Sequence, residues 1–336
     1  MFAFWRAGAC LIALAFWSLG AAAWERGTVE KFATLPAGQA NPEGLTVDKH
    51  GDVYVTTFAV TAPAGTPGQL FVFDSRGNLK RQVSIAGSSS FLLGLAFHPQ
   101  TNDLLVLDFG GKQVLRVNPN SGNSSVFMTV TGNAGLNALN FDSAGNVYVS
   151  DSFQGIIWRT GPRGGAGVAW VQDSLLTTTG VPPFGANGLQ FNSDETSLFV
   201  ANTGNDTIVR IPVNAGAPGT PVVFTNSVNG ADGLFLDGED NIWVAANQAD
   251  EIVVINKDGQ AIAKLGDFGG IDSAGAPIGL LFPASPALAG GYVYVTNLSL
   301  DLRVAVGATA VDSQWAAQVR SHTIARLRAV IPAVPH

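Results

Sequence analysis

Four oxygen-bearing side chains recur at the same place in a repeated motif. They are Glu43, Asn137, Asn187 and Asp232, and each is followed by Gly or Ala and then by Leu. If the motif lines a common axis, two carboxylates and two amide oxygens meet there and form a hard oxygen site suited to Ca²⁺ or another divalent cation. The set contains no His or Cys, so it does not favour zinc.

Turn formation is the alternative explanation for these residues. Asn and Asp before Gly are common in turns, and each taken alone fits that explanation. Glu43 fits it poorly, because Glu is not a typical turn residue. Two further copies of the motif start with apolar residues, Leu93 and Ile278. The coincidence of four oxygen-bearing residues at equivalent positions therefore favours a site.

The motif belongs to a longer unit that occurs six times. Each copy continues from the motif through a short apolar strand, a turn rich in Asp, Asn and Gly, and a second strand. Successive copies start 50, 44, 50, 45 and 46 residues apart, counted from Glu43 to Ile278. A period of this length is typical of propeller blades, which are small antiparallel sheets.

Two more apolar segments in each copy supply a third and a fourth strand, as residues 155–159 and 168–171 do in the third copy. In the last copy, residues 323–327 follow the strand at 292–295, and residues 29–32 are left to supply the remaining edge. We therefore predict an all-β fold, a six-bladed β-propeller with four-stranded antiparallel blades. Strands from the N- and C-termini are expected to close the ring and remove its open sheet edges.

The first 23 residues have the pattern of a secretory signal peptide. Arg6 supplies a positive charge, residues 7–19 are almost wholly apolar, and residues 21–23 are alanines. The apolar run is shorter than the roughly 20 residues of a membrane-spanning helix, which argues against an uncleaved anchor. We expect a signal peptide at 1–23 and a single propeller domain at 24–336. The domain would be periplasmic or secreted, with no membrane contact after cleavage.

Composition restricts the classes of partner. The formal net charge of −7 argues against nucleic acid, whose phosphates need a basic surface. Cys10, the single cysteine, lies in the predicted signal peptide, so the domain would have no disulfide and no thiolate nucleophile. The four histidines make no credible Ser/His/Asp arrangement, and His98 is expected in a surface turn. A small molecule is the expected partner, and a monomer is the expected state.

The residues around the motif carry a resemblance to a known family. Residues 41–45 read Asn-Pro-Glu-Gly-Leu, and together with the later motifs they resemble the regucalcin/gluconolactonase/luciferin-regenerating-enzyme family and its diisopropyl-fluorophosphatase-like and paraoxonase-like relatives. The resemblance implies that a catalytic divalent cation, usually Ca²⁺, is bound by Glu43, Asn137, Asn187 and Asp232. It also implies hydrolysis of a lactone or related ester. Asp232 would activate water or attack directly, and Glu43 is the second candidate for that role.

One position departs from the family pattern. Sugar-lactonase members commonly have an Arg two residues before the Asn that corresponds to Asn137, and this chain has Gly135 there. A polyhydroxylated sugar lactone is therefore not expected. A less polar lactone or ester fits the sequence better.

Residues that follow the second strand of each copy should surround the mouth of the site. Five of them are expected to bind substrate: Phe58, Phe109, Phe153, Asn202 and Asn247. Asn297 occupies the same place in the last copy. Three aromatic rings indicate an apolar pocket, and the alternative is that the rings seal neighbouring blades. Three segments are expected to cover the mouth or form its walls: residues 58–68, 181–184 and 298–321.

Two other functions are compatible with the repeat. A non-enzymatic propeller of the NHL-repeat kind would bind a protein or a carbohydrate on one face, because the repeat pattern belongs to the scaffold rather than to a function. A lyase or a strictosidine-synthase-like enzyme could use the same scaffold, the latter without a metal. The set of Glu43, Asn137, Asn187 and Asp232 is the feature that separates these possibilities from the metal-dependent hydrolase.

Overall fold

The computed structural model describes residues 24–309 and 312–332. The predicted signal peptide lies outside the described residues. Six small antiparallel sheets follow one another along the chain, and their innermost strands contact each other in cyclic order. The prediction of an all-β, six-bladed β-propeller is therefore confirmed. Within the described ranges, no helix has the length and apolar character needed to cross a membrane.

The strands are short, as expected for blades. The first half of the chain contains β1 (Val29–Thr34), β2 (Pro42–Val47), β3 (Val53–Thr57), β4 (Gln69–Phe73), β5 (Leu79–Ser84), β6 (Leu92–Phe97), β7 (Leu104–Asp108), β8 (Gln113–Val117), β9 (Ser124–Thr129), β10 (Leu136–Phe141), β11 (Val147–Asp151), β12 (Ile156–Thr160), β13 (Gly165–Ala166) and β14 (Val168–Gln172). A single 3-10 turn, Ser174–Leu176, follows.

The second half continues the pattern. It contains β15 (Ala186–Phe191), β16 (Ser197–Asn202), β17 (Thr207–Asn214), β18 (Ala217–Pro218), β19 (Val222–Thr225), β20 (Ala231–Leu236), β21 (Ile242–Ala246), β22 (Glu251–Ile255), β23 (Ala261–Leu265), β24 (Phe268–Ile271), β25 (Pro277–Gly279), β26 (Pro283–Ala289), β27 (Tyr292–Asn297) and β28 (Thr323–Arg328). Two one-turn helices, α1 (Leu302–Ala305) and α2 (Ser313–Ala316), lie between β27 and β28.

Each blade is built from strands in ladder order from the channel outwards. The blades are β2–β5, β6–β9, β10–β12 with β14, β15–β17 with β19, β20–β23, and β26–β28 with β1. Separate clusters of buried apolar side chains form the core. The hydrophobic core is therefore distributed around the ring.

The two ends of the chain close the ring as predicted. Strand β1 pairs antiparallel with β28, from Val29 opposite Leu327 to Thr34 opposite Thr323. The sixth blade thus takes its outermost strand from the N-terminal end of the domain. Closure in this way pairs the strand edge that would otherwise remain open between the first and last blades.

The Asp-rich turn between the first two strands of a blade has a clear structural role. In the third blade, Asp142 accepts hydrogen bonds from Asn146 and from the hydroxyl of Tyr148, at 3.1 Å for the hydroxyl. In the fifth blade, Asp237 accepts the indole N–H of Trp243 at 2.9 Å. The turn carboxylate therefore fixes both the turn and the aromatic residue of the second strand, which explains why the repeat contains both.

A shift of register interrupts the innermost strand pair at the same place in every blade. From the first blade to the sixth, the shift falls within residues 42–45, 92–95, 136–139, 186–189, 231–234 and 283–286. Bulges of this kind re-aim a side chain away from its regular alternation. The first residue inside each shift, such as Glu43 in the first blade, is therefore the one presented at the end of the channel.

Glycines let neighbouring innermost strands approach closely at these shifts. A Cβ added to Gly44 would lie 2.2 Å from the carbonyl oxygen of Leu93 in the next blade. One added to Gly188 would lie 2.6 Å from the carbonyl oxygen of Asp232. At Gly44 and Gly188 the glycine of the motif is therefore required by contact between blades, and this close contact brings the preceding side chains together around the axis.

The sixth copy of the motif is not where the sequence analysis placed it. Ile278 lies in β25, which pairs only with β24, and its side chain is 50% exposed. The innermost strand of the sixth blade is β26, and Ala284 is its residue at the register shift. Ser285 and Pro286 replace the Gly-Leu signature, and β26 contains two prolines, Pro283 and Pro286. They are tolerated because the channel side of an innermost strand has no ladder partner.

The prediction of a surface turn for His98 was wrong. The side chain is only 1% exposed, because it is packed between the second and third blades. Its Nδ1 accepts from the backbone N–H of Gln100, so its Nε2–H donates to the carbonyl oxygen of Gly145 at 3.0 Å. His98 thus joins the turns of two neighbouring blades.

We expect Gly188→Ala to destabilise the protein by about 2–3 kcal/mol, because the new methyl group would meet backbone atoms that cannot move aside. Urea unfolding followed by tryptophan fluorescence measures the change. Gly238→Ala is the matched control, since a Cβ at Gly238 meets nothing within 4 Å. Equal stabilities of the two variants would contradict the close approach of the innermost strands.

Candidate active site

The residues at the six register shifts meet at one end of the channel. Five of them line a common cavity: Glu43, Leu93, Asn137, Asn187 and Asp232. Ala284 of the sixth blade is fully buried and packs in the neighbouring apolar cluster. The structure thus brings together the four oxygen-bearing residues singled out in the sequence. The cavity that they line is small, about 30 Å³.

A second ring of residues lies beside the first. Each member directly follows the residue of the second strand that pairs with the residue before the register shift. Its members are Phe58, Phe109, Ser152, Thr203, Asn247 and Leu298. In the third, fourth and fifth blades both rings are polar, and in the second and sixth blades both are apolar. The site therefore has a polar side and an apolar side.

Hydrogen bonds fix the orientation of the two site amides. The hydroxyl of Ser152 donates its proton to the carbonyl oxygen of Ala186 at 2.7 Å, so it can only accept from Asn137 Nδ2. The hydroxyl of Thr203 likewise donates to the carbonyl oxygen of Ala231 at 2.8 Å and accepts from Asn187 Nδ2 at 3.0 Å. Because the NH₂ group of each amide faces a hydroxyl, each amide oxygen remains available as a ligand.

The two carboxylates are buried and incompletely paired. Asp232 Oδ2 accepts from Asn247 Nδ2 at 2.8 Å, whereas Asp232 Oδ1 and Glu43 Oε2 have no hydrogen-bond partner. Burial raises the pKa of Glu43 well above its usual range, and the charge of Asp232 raises it further. Burial also raises the pKa of Asp232 to about 7, against the effect of the Asn247 hydrogen bond. Both groups thus lack a compensating positive charge.

The side chains present fit a divalent cation. Two unpartnered carboxylate oxygens and two oriented amide oxygens form an all-oxygen donor set, which hard cations prefer. Counted by His, Cys, Asp and Glu alone, the described part of the chain has no group of three that could hold a metal. Two of the four residues in this set are Asn, so the set contains only two residues of those four types.

The predicted substrate-binding residues are distributed over several places. Phe58 and Asn247 line the cavity, and Phe109 and Phe153 belong to an aromatic cluster beside it. Asn202 lies outside the lining, and its amide donates to the carbonyl oxygens of Leu175 and Thr177.

Asn297 likewise binds backbone, since it donates to Gly279 O and accepts from Leu281 N–H. The residues that face the site in the third, fourth and sixth blades are Ser152, Thr203 and Leu298, each one position from the predicted residue. The predicted residue lies one position too late in the third blade and one too early in the fourth and sixth, because sequence patterns do not define the last residue of a strand.

The expected cover segments contribute to the cavity wall. Pro182 and Phe184 of residues 181–184 line it, as do Leu298, Leu300 and Leu302 of residues 298–321. These three leucines are between 0 and 5% exposed. Phe282, which the sequence analysis did not single out, completes the apolar side. Among the described residues that line the cavity, none is Lys, Arg or His.

Gly135 is part of the aromatic side of the site. Its N–H donates to Asp151 Oδ1 at 2.9 Å, and the same oxygen accepts from the N–H of Phe153. A Cβ at Gly135 would lie 2.8 Å from the Phe153 ring. The aromatic ring therefore occupies the space that a longer side chain at position 135 would need.

Sequence comparison connects the chain to known proteins. The family described as SMP-30/Gluconolactonase/LRE-like region matches residues 69–266. Lactonase drp35 of Staphylococcus haemolyticus is 33% identical over 135 residues, which cover 37% of this chain and 39% of that protein. Lactonase drp35 of Staphylococcus saprophyticus is 25% identical over 253 residues, which cover 71% of this chain and 73% of that protein. The match to the first relative thus spans about two fifths of its length.

Structural comparison shows the same fold in solved proteins. A luciferin-regenerating enzyme is similar with a TM-score of 0.64 and 17% identity, over 90% of this chain and 96% of that chain. The calcium-binding protein regucalcin from Agrobacterium tumefaciens is similar with a TM-score of 0.61 and 15% identity, over 91% of this chain and 98% of that chain. A gluconolactonase from Xanthomonas campestris gives 0.61 and 14%, over 89% of each chain.

We expect Asp232→Asn to stabilise the metal-free protein at about pH 8 by on the order of 2 kcal/mol. The pKa of Asp232 is raised from 3.8 to about 7, so the native state keeps a proton that the unfolded state releases. The free energy of unfolding of the parent should therefore fall as the pH rises from about 4 to about 7, and the variant should lack this contribution. Urea unfolding with EDTA at several pH values tests this.

Asp237→Asn is the control for that experiment. Although burial opposes the effect, hydrogen bonds from Trp243 and Asn241 hold the pKa of Asp237 below its usual range. Its substitution should therefore lower stability at neutral pH. A stability–pH profile that is the same for the parent and Asp232→Asn would contradict the uncompensated burial of the Asp232 charge.

Proposed function

Because the chain belongs to the SMP-30/gluconolactonase/LRE-like family, we propose that it is a hydrolase that opens lactones of low polarity. The observation that carries the proposal is the pair of buried carboxylates, Glu43 and Asp232, whose unpartnered oxygens lie in a cavity with one polar and one apolar side. Lactonase drp35 matches support the reaction class. A site this small and enclosed favours chemistry on one functional group over recognition of a protein surface.

We propose Ca²⁺ as the bound ion, held by Glu43, Asn137, Asn187 and Asp232. The oxygen-only donor set with two carboxylates supports this assignment, and so does the solved regucalcin, which is named as a calcium-binding protein. When bound, the ion would polarise a carbonyl group and stabilise negative charge on its oxygen.

The protein groups around the carbonyl have separate tasks. Asn247 holds Asp232 Oδ2, which leaves Oδ1 free to take a proton from the attacking water or to attack the carbonyl carbon itself. In the first route Asp232 passes the proton to the ring oxygen as the ring C–O bond breaks; in the second, ring opening leaves an anhydride between the substrate acyl group and Asp232, which water then hydrolyses. In a single turnover in ¹⁸O-water, label in Asp232 identifies the second route, because in the first route water never bonds to the carboxylate. Glu43 is the second candidate for this role. Phe58, Leu300 and Leu302 exclude bulk water from the reacting group.

The polarity of the lining supports a substrate with few hydroxyl groups. A sugar lactone would need hydrogen-bond donors and acceptors around its ring, and the apolar side of the cavity supplies none. Phe153 occupies the space over Gly135 where a longer polar side chain would reach the site. We also propose that the enzyme acts in the periplasm or outside the cell, on the strength of the signal-peptide pattern in residues 1–23.

We expect calorimetric titration of EDTA-stripped protein with Ca²⁺ to show one site that Glu43→Gln weakens by at least about tenfold, because a charged ligand is lost from a low-dielectric cavity. Asp232→Asn should weaken it similarly. Glu239→Gln removes the same charge from an exposed turn of the Asp232 blade and should bind like the parent. Unchanged binding by both site variants would contradict the assigned ligands.

We expect the calcium-loaded parent to hydrolyse aryl or alkyl lactones with a higher kcat/KM than sugar lactones, and Asp232→Asn to lower kcat by about 10²-fold or more, since it loses the proton acceptor. A pH-indicator assay across both classes measures this, with Glu239→Gln as the control. Hydrolysis by Asp232→Asn at the parent rate would remove Asp232 from the mechanism. No turnover of any lactone by the parent would refute the proposed function.

A further inference from the structure

The cavity is too small to hold a whole lactone. At about 30 Å³ it has room for an ion and one or two waters, whereas pockets for complete ligands are roughly 300–1,000 Å³. Only the reacting carbonyl end of a substrate fits among the four polar residues. The remainder must lie against a surface that is continuous with the cavity and already accessible.

A cluster of aromatic side chains provides a continuous apolar path from the cavity to solvent. Phe58 lines the cavity and meets Phe109 edge-on at 5.7 Å between ring centroids. Phe109 in turn meets Phe153 at 5.6 Å. Phe184 lines the cavity on the same side and stacks on Phe153, with centroids 6.0 Å apart and planes inclined by 22°.

Exposure separates this path from the other apolar wall. Phe153 is 43% exposed and neighbouring Val181 is 50% exposed, although both are large apolar residues. The leucines of residues 298–302 that line the opposite wall are almost fully buried. Within this aromatic cluster, the most accessible ring is therefore Phe153, which stacks on Phe184.

Two features indicate that Phe153 is held in place for a purpose beyond packing. Asp151 is completely buried and accepts from the N–H groups of Gly135 and Phe153, which fixes the backbone on both sides of the ring. Gly135 leaves the space that the ring occupies. A rigid, solvent-accessible aromatic ring costs little conformational entropy when it binds an apolar group.

We propose that the stacked rings of Phe153 and Phe184 form a subsite for the apolar substituent, a linear alkyl chain or an aryl group, of a lactone whose carbonyl enters the cavity. The inference rests on the proposed function and adds the substrate class to it. The substituent would lie across the two rings, outside the polar ring of residues, so its length would change affinity without changing the chemistry at the carbonyl.

The test uses γ-lactones whose ring carries a linear alkyl chain of none to about six carbons. In the calcium-loaded parent, kcat/KM should rise about two- to fourfold for each added methylene, the range expected when a methylene is partly or fully removed from water. Phe153→Ala and Phe184→Ala should flatten this dependence to less than about 1.5-fold for each methylene. Comparing long with short chains within each variant cancels general effects of the substitutions.

Phe224→Ala is the matched control. Phe224 meets Phe199 edge-on at 5.0 Å in the fourth blade, so the variant loses a ring from a similar aromatic pair away from the site. Its chain-length dependence should equal that of the parent. A flat dependence in the parent, or a steep one in both Phe153→Ala and Phe184→Ala, would overturn the subsite while leaving lactone hydrolysis intact.

A binding measurement separates failure of the subsite from failure of the proposed function. Cyclopentanones with the same alkyl chains resemble the lactones and cannot be hydrolysed, so calorimetry reports their affinity whether or not any lactone is turned over. Affinity that rises with chain length in the parent and Phe224→Ala, but not in Phe153→Ala, supports the subsite. Affinity independent of chain length in the parent overturns it.

Discussion

The burial of two carboxylates beside each other is the constraint on which the site depends. Glu43 and Asp232 are each 4% exposed, and neither forms an ion pair within the described ranges. Removing a carboxylate from water costs several kcal/mol unless a charge or hydrogen bonds compensate it. Glu251, another buried acid, is compensated, because it is paired with both Arg26 and Lys264. The site carboxylates lack such partners, which supports the divalent cation proposed above.

The surrounding network keeps this unfavourable arrangement from relaxing. The hydroxyls of Ser152 and Thr203 are each committed to a backbone carbonyl of the next blade, so each hydroxyl accepts a hydrogen bond from the amide beside it and fixes the orientation of that amide. Asn247 is fixed in the same sense, because Gln248 donates to its oxygen while it donates to Asp232. Contacts between blades thus determine which atoms face the ligand.

Sequence alone predicted the scaffold and the first ring of site residues, since both depend on a periodic signal. A repeated motif, short apolar strands and unused segments at both ends are enough to predict six blades, ring closure and the positions of Glu43, Asn137, Asn187 and Asp232. The sixth motif was misplaced because Ser285 and Pro286 replace its Gly-Leu signature in β26, while Ile278-Gly279-Leu280 has that pattern in a surface hairpin. The second ring was misplaced by one residue in three blades. The offset arises because the end of each second strand is set by its pairing with the first strand, which the residues of the second strand do not encode.

The propeller also explains how the protein tolerates a destabilising site. Its apolar core is divided into separate clusters spread around the ring, and the pairing of β1 with β28 links the first and last parts of the domain. The carboxylates lie at the end of the channel, where innermost strands have no ladder partner on one side. Their unfavourable burial therefore disturbs neither a backbone ladder nor the packing of a blade. Loss of stability is confined to a place where a ligand can restore it, because any ion that binds the native state alone adds its binding free energy to folding.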